Sequence, residues 1–219
     1  MLETKKVFQI ISVLLHPIFI PCIIAGLFLF GVNEAPWLDA KARWSLFSLI
    51  STITTLMPIS CLLIMQRFGV VKSPQMHHRE ERAFALSIMI ISLAILCYLL
   101  IVKINVSTAL SISFCSVTIT LIIANIANFI DKISLHSIGL SGLIGILFYF
   151  IREAEAEPNI VLFDAFGISI ILLGVVMTAR LYLQAHTFYQ IIMGALLGIF
   201  SGFGGAIISA HYLQHHTLI

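Results

Sequence analysis

The chain has 219 residues, 60% of them hydrophobic and 10% charged, with a formal net charge of +2 and a mean hydropathy of +1.08. A soluble domain with one core is not that apolar, so the composition points to an integral membrane protein with a single helical domain over residues 1–219. The small net charge selects no partner. Nothing in the basic residues suggests nucleic acid, because no basic stretch is interleaved with exposed aromatics.

A membrane-crossing helix needs ~20 mostly apolar residues. Seven stretches meet that requirement: residues 7–32, 45–66, 83–103, 107–130, 134–151, 159–179 and 188–210. The predicted architecture is therefore an all-α polytopic bundle of six or seven spans. The first stretch follows Lys5 and Lys6 and has no small-residue cleavage site, so it is expected to remain as a span. It contains His16-Pro17 and Pro21, and proline removes a helical hydrogen bond. That span is expected either to be broken as it crosses or to dip in and return. Cys22, Cys61, Cys97 and Cys115 fall inside apolar stretches and read as packing residues. The fifth stretch carries Gly139, Gly142 and Gly145. The seventh carries Gly194, Gly198, Gly202, Gly204 and Gly205. Small residues at this spacing let helices approach closely in lipid, which predicts spans five and seven near the centre.

Three polar clusters interrupt the apolar pattern. They are residues 72–79 (Lys72 to Arg79, with His77 and His78), residues 132–136 (Lys132, Ser134 and His136) and residues 180–186 (Arg180 to His186). With seven spans, all three fall on the face that holds the N-terminus; removing one span from the count would split them. That face carries Lys5, Lys6, Arg67, Lys72, Arg79, Arg82, Lys132 and Arg180, against Lys41, Arg43, Lys103 and Arg152 on the other. Positive charge tends to stay in the cytoplasm, which would place the clusters there. If Lys72, Arg79, Lys132 and Arg180 serve chemistry instead, the two faces carry equal numbers and orientation stays open.

Ionisable residues at the ends of spans are costly and mark a functional site by default. Gln190 follows His186 by four residues, so on a helix the two share a face. Its side chain can fix one imidazole nitrogen and leave the other as a nucleophile or base. Ser134 sits where it would cap the fifth span, with His136 in the first turn, and a helix N-terminus favours anions. Arginine and lysine suit phosphate oxygens. No acidic or thiolate group stands at ligand spacing from His77-His78, or from His211, His215 and His216, so no metal site is predicted.

Together these residues resemble the type-2 phosphatidic acid phosphatase superfamily, the lipid phosphate phosphatases related to vanadium haloperoxidases. That family's pattern is K-x6-R-P, then P-S-G-H, then S-R-x5-H-x3-D. Lys72-x6-Arg79 matches the first spacing, with Glu80 in place of proline. Ile133-Ser134-Leu135-His136 keeps the serine and histidine but lacks the proline and glycine. Ala179-Arg180-x5-His186-x3-Gln190 keeps the arginine and histidine but has alanine for serine and glutamine for aspartate. The resemblance covers about residues 67–205. It implies that His186 attacks phosphorus to form a phosphohistidine, oriented by Gln190, and that His136 protonates the leaving oxygen. It further implies that Lys72, Arg79, Ser134 and Arg180 cradle the phosphoryl oxygens, with Arg82 and Lys132 as alternates. No metal or other cofactor is implied.

The expected activity is hydrolysis of a lipid or isoprenoid phosphomonoester or diphosphate, in a bacterial inner membrane, with the resemblance favouring a periplasmic active face. Two alternatives stand beside it: a weak or inactive relative that binds anionic lipid headgroups, and a small-anion transporter. A magnesium-dependent prenyltransferase ranks lower, because Glu80-Glu81 is a poor carboxylate cluster.

Overall fold

In hydrocarbon no water satisfies backbone N–H and C=O groups, so each apolar stretch must close its own hydrogen bonds as a helix. The computed structural model describes residues 2–69, 79–154 and 159–216, with the side chains of Leu2, Arg79 and His216 excepted. Its helices are α1 (Leu2–Leu14), α2 (Ile20–Gly26), α3 (Ala40–Ser51), α4 (Met57–Arg67), α5 (Arg79–Tyr98), α6 (Thr108–Ile130), α7 (Leu135–Glu153), α8 (Ile160–Tyr182) and α9 (Phe188–His216). There is no strand among the described residues. Seven helical segments are long and apolar enough to cross a membrane, and the protein is an all-α integral membrane bundle.

The segment boundaries extend beyond the apolar runs. The second span begins at Ala40 rather than 45, because the Asp39 carboxylate caps it by accepting from Ala42 N–H at 2.7 Å. The seventh continues to His216 rather than 210, its polar end being helical although no longer apolar.

The first span is broken and crosses. α1 ends at Leu14, a short 3-10 turn covers Pro17–Phe19, α2 follows, and a π-turn covers Leu27–Gly31. At one end Phe8 stacks against Tyr182, the last residue of α8, with ring centroids 4.5 Å apart. At the other, a Cβ on Gly31 would lie 3.1 Å from Val161, in the first turn of α8. Between those contacts runs nearly the whole of α8, roughly 30 Å at 1.5 Å per residue. The re-entrant alternative is thereby excluded.

α6, α7 and α9 form the centre. Along α7, the run from His136 to Leu147 is almost wholly buried. A Cβ at Gly198 would lie 2.9 Å from Gly142 N, and one at Gly202 would lie 2.9 Å from Gly142 Cα. Only a bare backbone fits there, as expected for helices that meet without a hydrophobic drive between them. Ser116 of α6 donates to the Gly202 carbonyl at 2.6 Å, joining the third member. The irregular elements lie elsewhere: π-turns close the first span at Leu27–Gly31 and the third at Leu99–Ile104, and one at Thr52–Leu56 interrupts the second.

Candidate functional site

The turn between α8 and α9 places His186. α8 closes with Leu183 N–H bonded to the Ala179 carbonyl, and Gln184 adopts a left-handed conformation at φ 52°. Ala185 N–H then returns to the Arg180 carbonyl at 3.1 Å. The chain thus doubles back within a few residues and brings His186 over the end of its own helix, near Arg180. Thr187 and Gln190 form a capping box on α9. Gln190 N–H donates to Thr187 Oγ1 at 3.3 Å, and Thr187 N–H donates to Gln190 Oε1 at 3.2 Å. The second bond fixes the amide orientation, since a backbone N–H can only donate. Gln190 Oε1 is therefore an acceptor, and His186 Nδ1 donates to it at 3.2 Å. That leaves His186 Nε2 as the lone-pair nitrogen when the ring is neutral. The i, i+4 pairing expected from the sequence is present, within a helix cap.

His186 is half-buried. Burial and the charge of Arg180 hold its pKa down at about 4; the Gln190 bond works upward, and Lys132 and Arg82 push further down. The ring is neutral at pH 7. All three cations lie close enough to act on it, so the last two clusters and the start of α5 converge. Neither Arg180 nor Lys132 has an acidic partner among the described residues, and Arg180 Nε is buried with no hydrogen-bond partner there. Arg180 and Lys132, neither paired with an acid among the described residues, give the site a positive field that favours an anion.

The second cluster is tied to the third through backbone. Ser134 N–H points to the Gln190 carbonyl at 3.4 Å. Ser134 caps α7 as expected, accepting from Ser137 N–H at 3.4 Å and from the Ser137 hydroxyl at 3.0 Å. It is fully enclosed, however. His136 is also buried, and its Nε2 lies 2.9 Å from the Ser12 carbonyl. A carbonyl only accepts, so Nε2 carries the proton and is already spent on α1. Neither group is open to a ligand as the helices stand.

Two residues of the site were not expected. Ser12 contacts both His136 and Arg180: Arg180 Nη1 donates to its hydroxyl at 2.8 Å. His16 sets its ring edge-on to that of His136, centroids 5.1 Å apart, and its Nδ1 accepts from Ile18 N–H at 3.2 Å. His16 carried a signal, being an ionisable residue inside a span. Ser12 carried none, since its partners lie 124 and 168 positions away.

Lys72, His77 and His78 lie outside the described residues, as does the side chain of Arg79. Of the first cluster's neighbours, Arg82 is the cation that reaches His186. Exposed aromatic and aliphatic side chains (Phe129, Ile130, Tyr182, Phe188 and Tyr189) border the site at the ends of α6 and α8 and the start of α9. In comparisons with protein-family models, with curated proteins and with solved structures, nothing matched. The functional reading therefore rests on the site itself.

Proposed function

We propose that this protein hydrolyses the phosphate or diphosphate of a lipid or isoprenoid, with His186 as the nucleophile. The observation that carries this reading is the state of that imidazole: neutral, anchored through Nδ1, with Nε2 without a hydrogen bond among the described residues and in the field of Arg180, Lys132 and Arg82. In the first step Nε2 forms a bond to phosphorus, and the bond from phosphorus to the ester oxygen breaks. The leaving oxygen takes a proton from a His136 that is protonated on both nitrogens and released from Ser12, which leaves that ring neutral, and the water of the second step returns the proton. Water then cleaves the phosphohistidine and frees inorganic phosphate. The cations offset charge on the phosphoryl oxygens as it shifts. Gln190 orients the ring, but unlike a carboxylate it does not stabilise the cation that forms.

The bordering aromatics favour an amphiphilic substrate over a soluble phosphate. Aromatic residues concentrate at the level of lipid headgroups. A phosphate held there would leave its acyl or isoprenoid tail in the bilayer.

A second reading, a binder of anionic headgroups, draws support from the same amide at 190 and from the engaged proton on His136. The two separate in one assay. Purified protein in micelles containing EDTA is given dioleoyl phosphatidate or farnesyl diphosphate, and phosphate release is followed. The hydrolase releases phosphate, and His186→Ala stops it. Affinity for phosphatidate without release favours the binder. Release that survives His186→Ala rejects the assigned nucleophile.

A further inference from the structure

The N-terminal helix is held in an unusual way. Val7, Ile10, Val13 and Leu14 are all more than half exposed, and Ser12 is the one buried residue among the α1 side chains described. Those apolar side chains face outward from the bundle, so few side chains tie α1 to the other helices. Yet its single buried residue reaches the centre of the anion site. Ser12 offers two oxygens there, the hydroxyl to Arg180 at 2.8 Å and the carbonyl to His136 at 2.9 Å. Both donors are ones that a phosphoryl group would use.

Below Ser12 the chain has a defined pivot. His16 is extended at ψ 134° ahead of Pro17, so no helical hydrogen bonds carry α1 into α2. Pro17 is seated on α7, where a Cβ on Gly139 would lie 2.8 Å from the proline ring. One side of the break is thus anchored in the central helices, and the other is held by Ser12 and the Phe8–Tyr182 contact.

We propose that α1 is a lid over the anion site, with Ser12 occupying the positions of two phosphoryl oxygens and residues 15–17 acting as its hinge. This proposal rests on the phosphate reading of the site and adds its regulation. In the closed arrangement Ser12 holds the His136 N–H and an Arg180 N–H, so turnover requires α1 to lift. A lipid phosphate supplies the oxygens that replace Ser12 and takes up the same donors. The site then becomes complete only when an anionic headgroup is present to hold it open, and water is otherwise kept from His136.

Two measurements test the lid, both in a background lacking the four native cysteines and in nanodiscs. In the first, Phe8→Cys with Tyr182→Cys is oxidised to tie α1 to α8. Phosphate release from dioleoyl phosphatidate is expected to fall at least tenfold and to return on reduction, so that the reduced protein serves as its own folding control. Full release from quantitatively cross-linked protein overturns the lid. The second uses Ser12→Cys and a polar methanethiosulfonate reagent. Phosphatidate in the disc is expected to speed labelling of the cysteine at least fivefold over phosphatidylcholine alone, and equal rates overturn the lid. The labelling does not depend on turnover. Faster labelling with no phosphate release retires the His186 chemistry and keeps the lid. Release with neither cross-link sensitivity nor a labelling change retires the lid and keeps the chemistry.

Discussion

The two halves of this bundle are built differently. α6, α7 and α9 are unbroken helices whose glycines and serines bring backbone against backbone. The first three spans, by contrast, each contain a π-turn, and the first is also cut at His16-Pro17. The central half carries Ser134, His136, His186 and Gln190, which need fixed positions relative to one another. The irregular half supplies Ser12, which reaches the same site from the far side of the His16-Pro17 break. Close packing suits groups that must hold position, and broken helices suit an element that must move.

The largest effect is expected at His186. His186→Ala should reduce phosphate release by about 10³-fold or more, as for loss of a nucleophile, while leaving thermal stability in micelles little changed. A comparable loss of stability would show that the ring serves packing instead. Next comes the central contact. Gly198→Leu places a branched side chain against the α7 backbone, beyond the ~1–3 kcal/mol typical of added methylenes, and should abolish a monodisperse peak on size exclusion. Gly204→Ala has open space around it and serves as the neutral control.

Changes of charge sharpen the comparison further. As the proposed nucleophile, His186 must be neutral, so kcat/KM should be sustained at neutral pH and fall as pH drops through about 4. Gln190→Glu keeps the side chain's reach and adds the missing negative charge. It should raise turnover about tenfold and move that acid limb upward, since a nearby anion favours the protonated ring. Arg180→Gln should also move the limb upward, toward 6.5, while lowering kcat. Stability carries the same sign. The folded pKa of His186 lies below its ordinary value, so its contribution is fully present above about 6.5 and is lost as pH falls toward about 4. Thermal melts across that window should show a downward slope on acidification that His186→Ala reduces. The smallest effect is expected for Ser116→Ala, which removes one interhelical bond worth about 0.6 kcal/mol and at most about 1.7 kcal/mol.

Local features were legible in the sequence. Apolar runs near 20 residues marked the seven spans, and glycine spacing marked α7 and α9 as the central pair. The four-residue step from His186 to Gln190 was enough to pair them. The shared face of the second and third clusters followed from counting spans, and it places His136 and Arg180 on the same serine. What escaped was pairing across distance. Nothing around Ser12 distinguishes it from a serine facing lipid, because its partners come from α7 and α8. The sealing of His136 escaped for the same reason, since it depends on where α1 lies. The proline in the first span announced a break but not which side of it would stay anchored.

Trp44 of α3 stacks with Phe30 at 4.7 Å at the end of the bundle away from His186, and Trp37 lies in the connection just before that helix. These are the two tryptophans of the chain. Intrinsic emission therefore samples one leaflet, while the proposed anion site lies at the other. A fluorescence change on adding phosphatidate would measure conformational coupling across the thickness of the bilayer, and a silent titration would be compatible with tight binding.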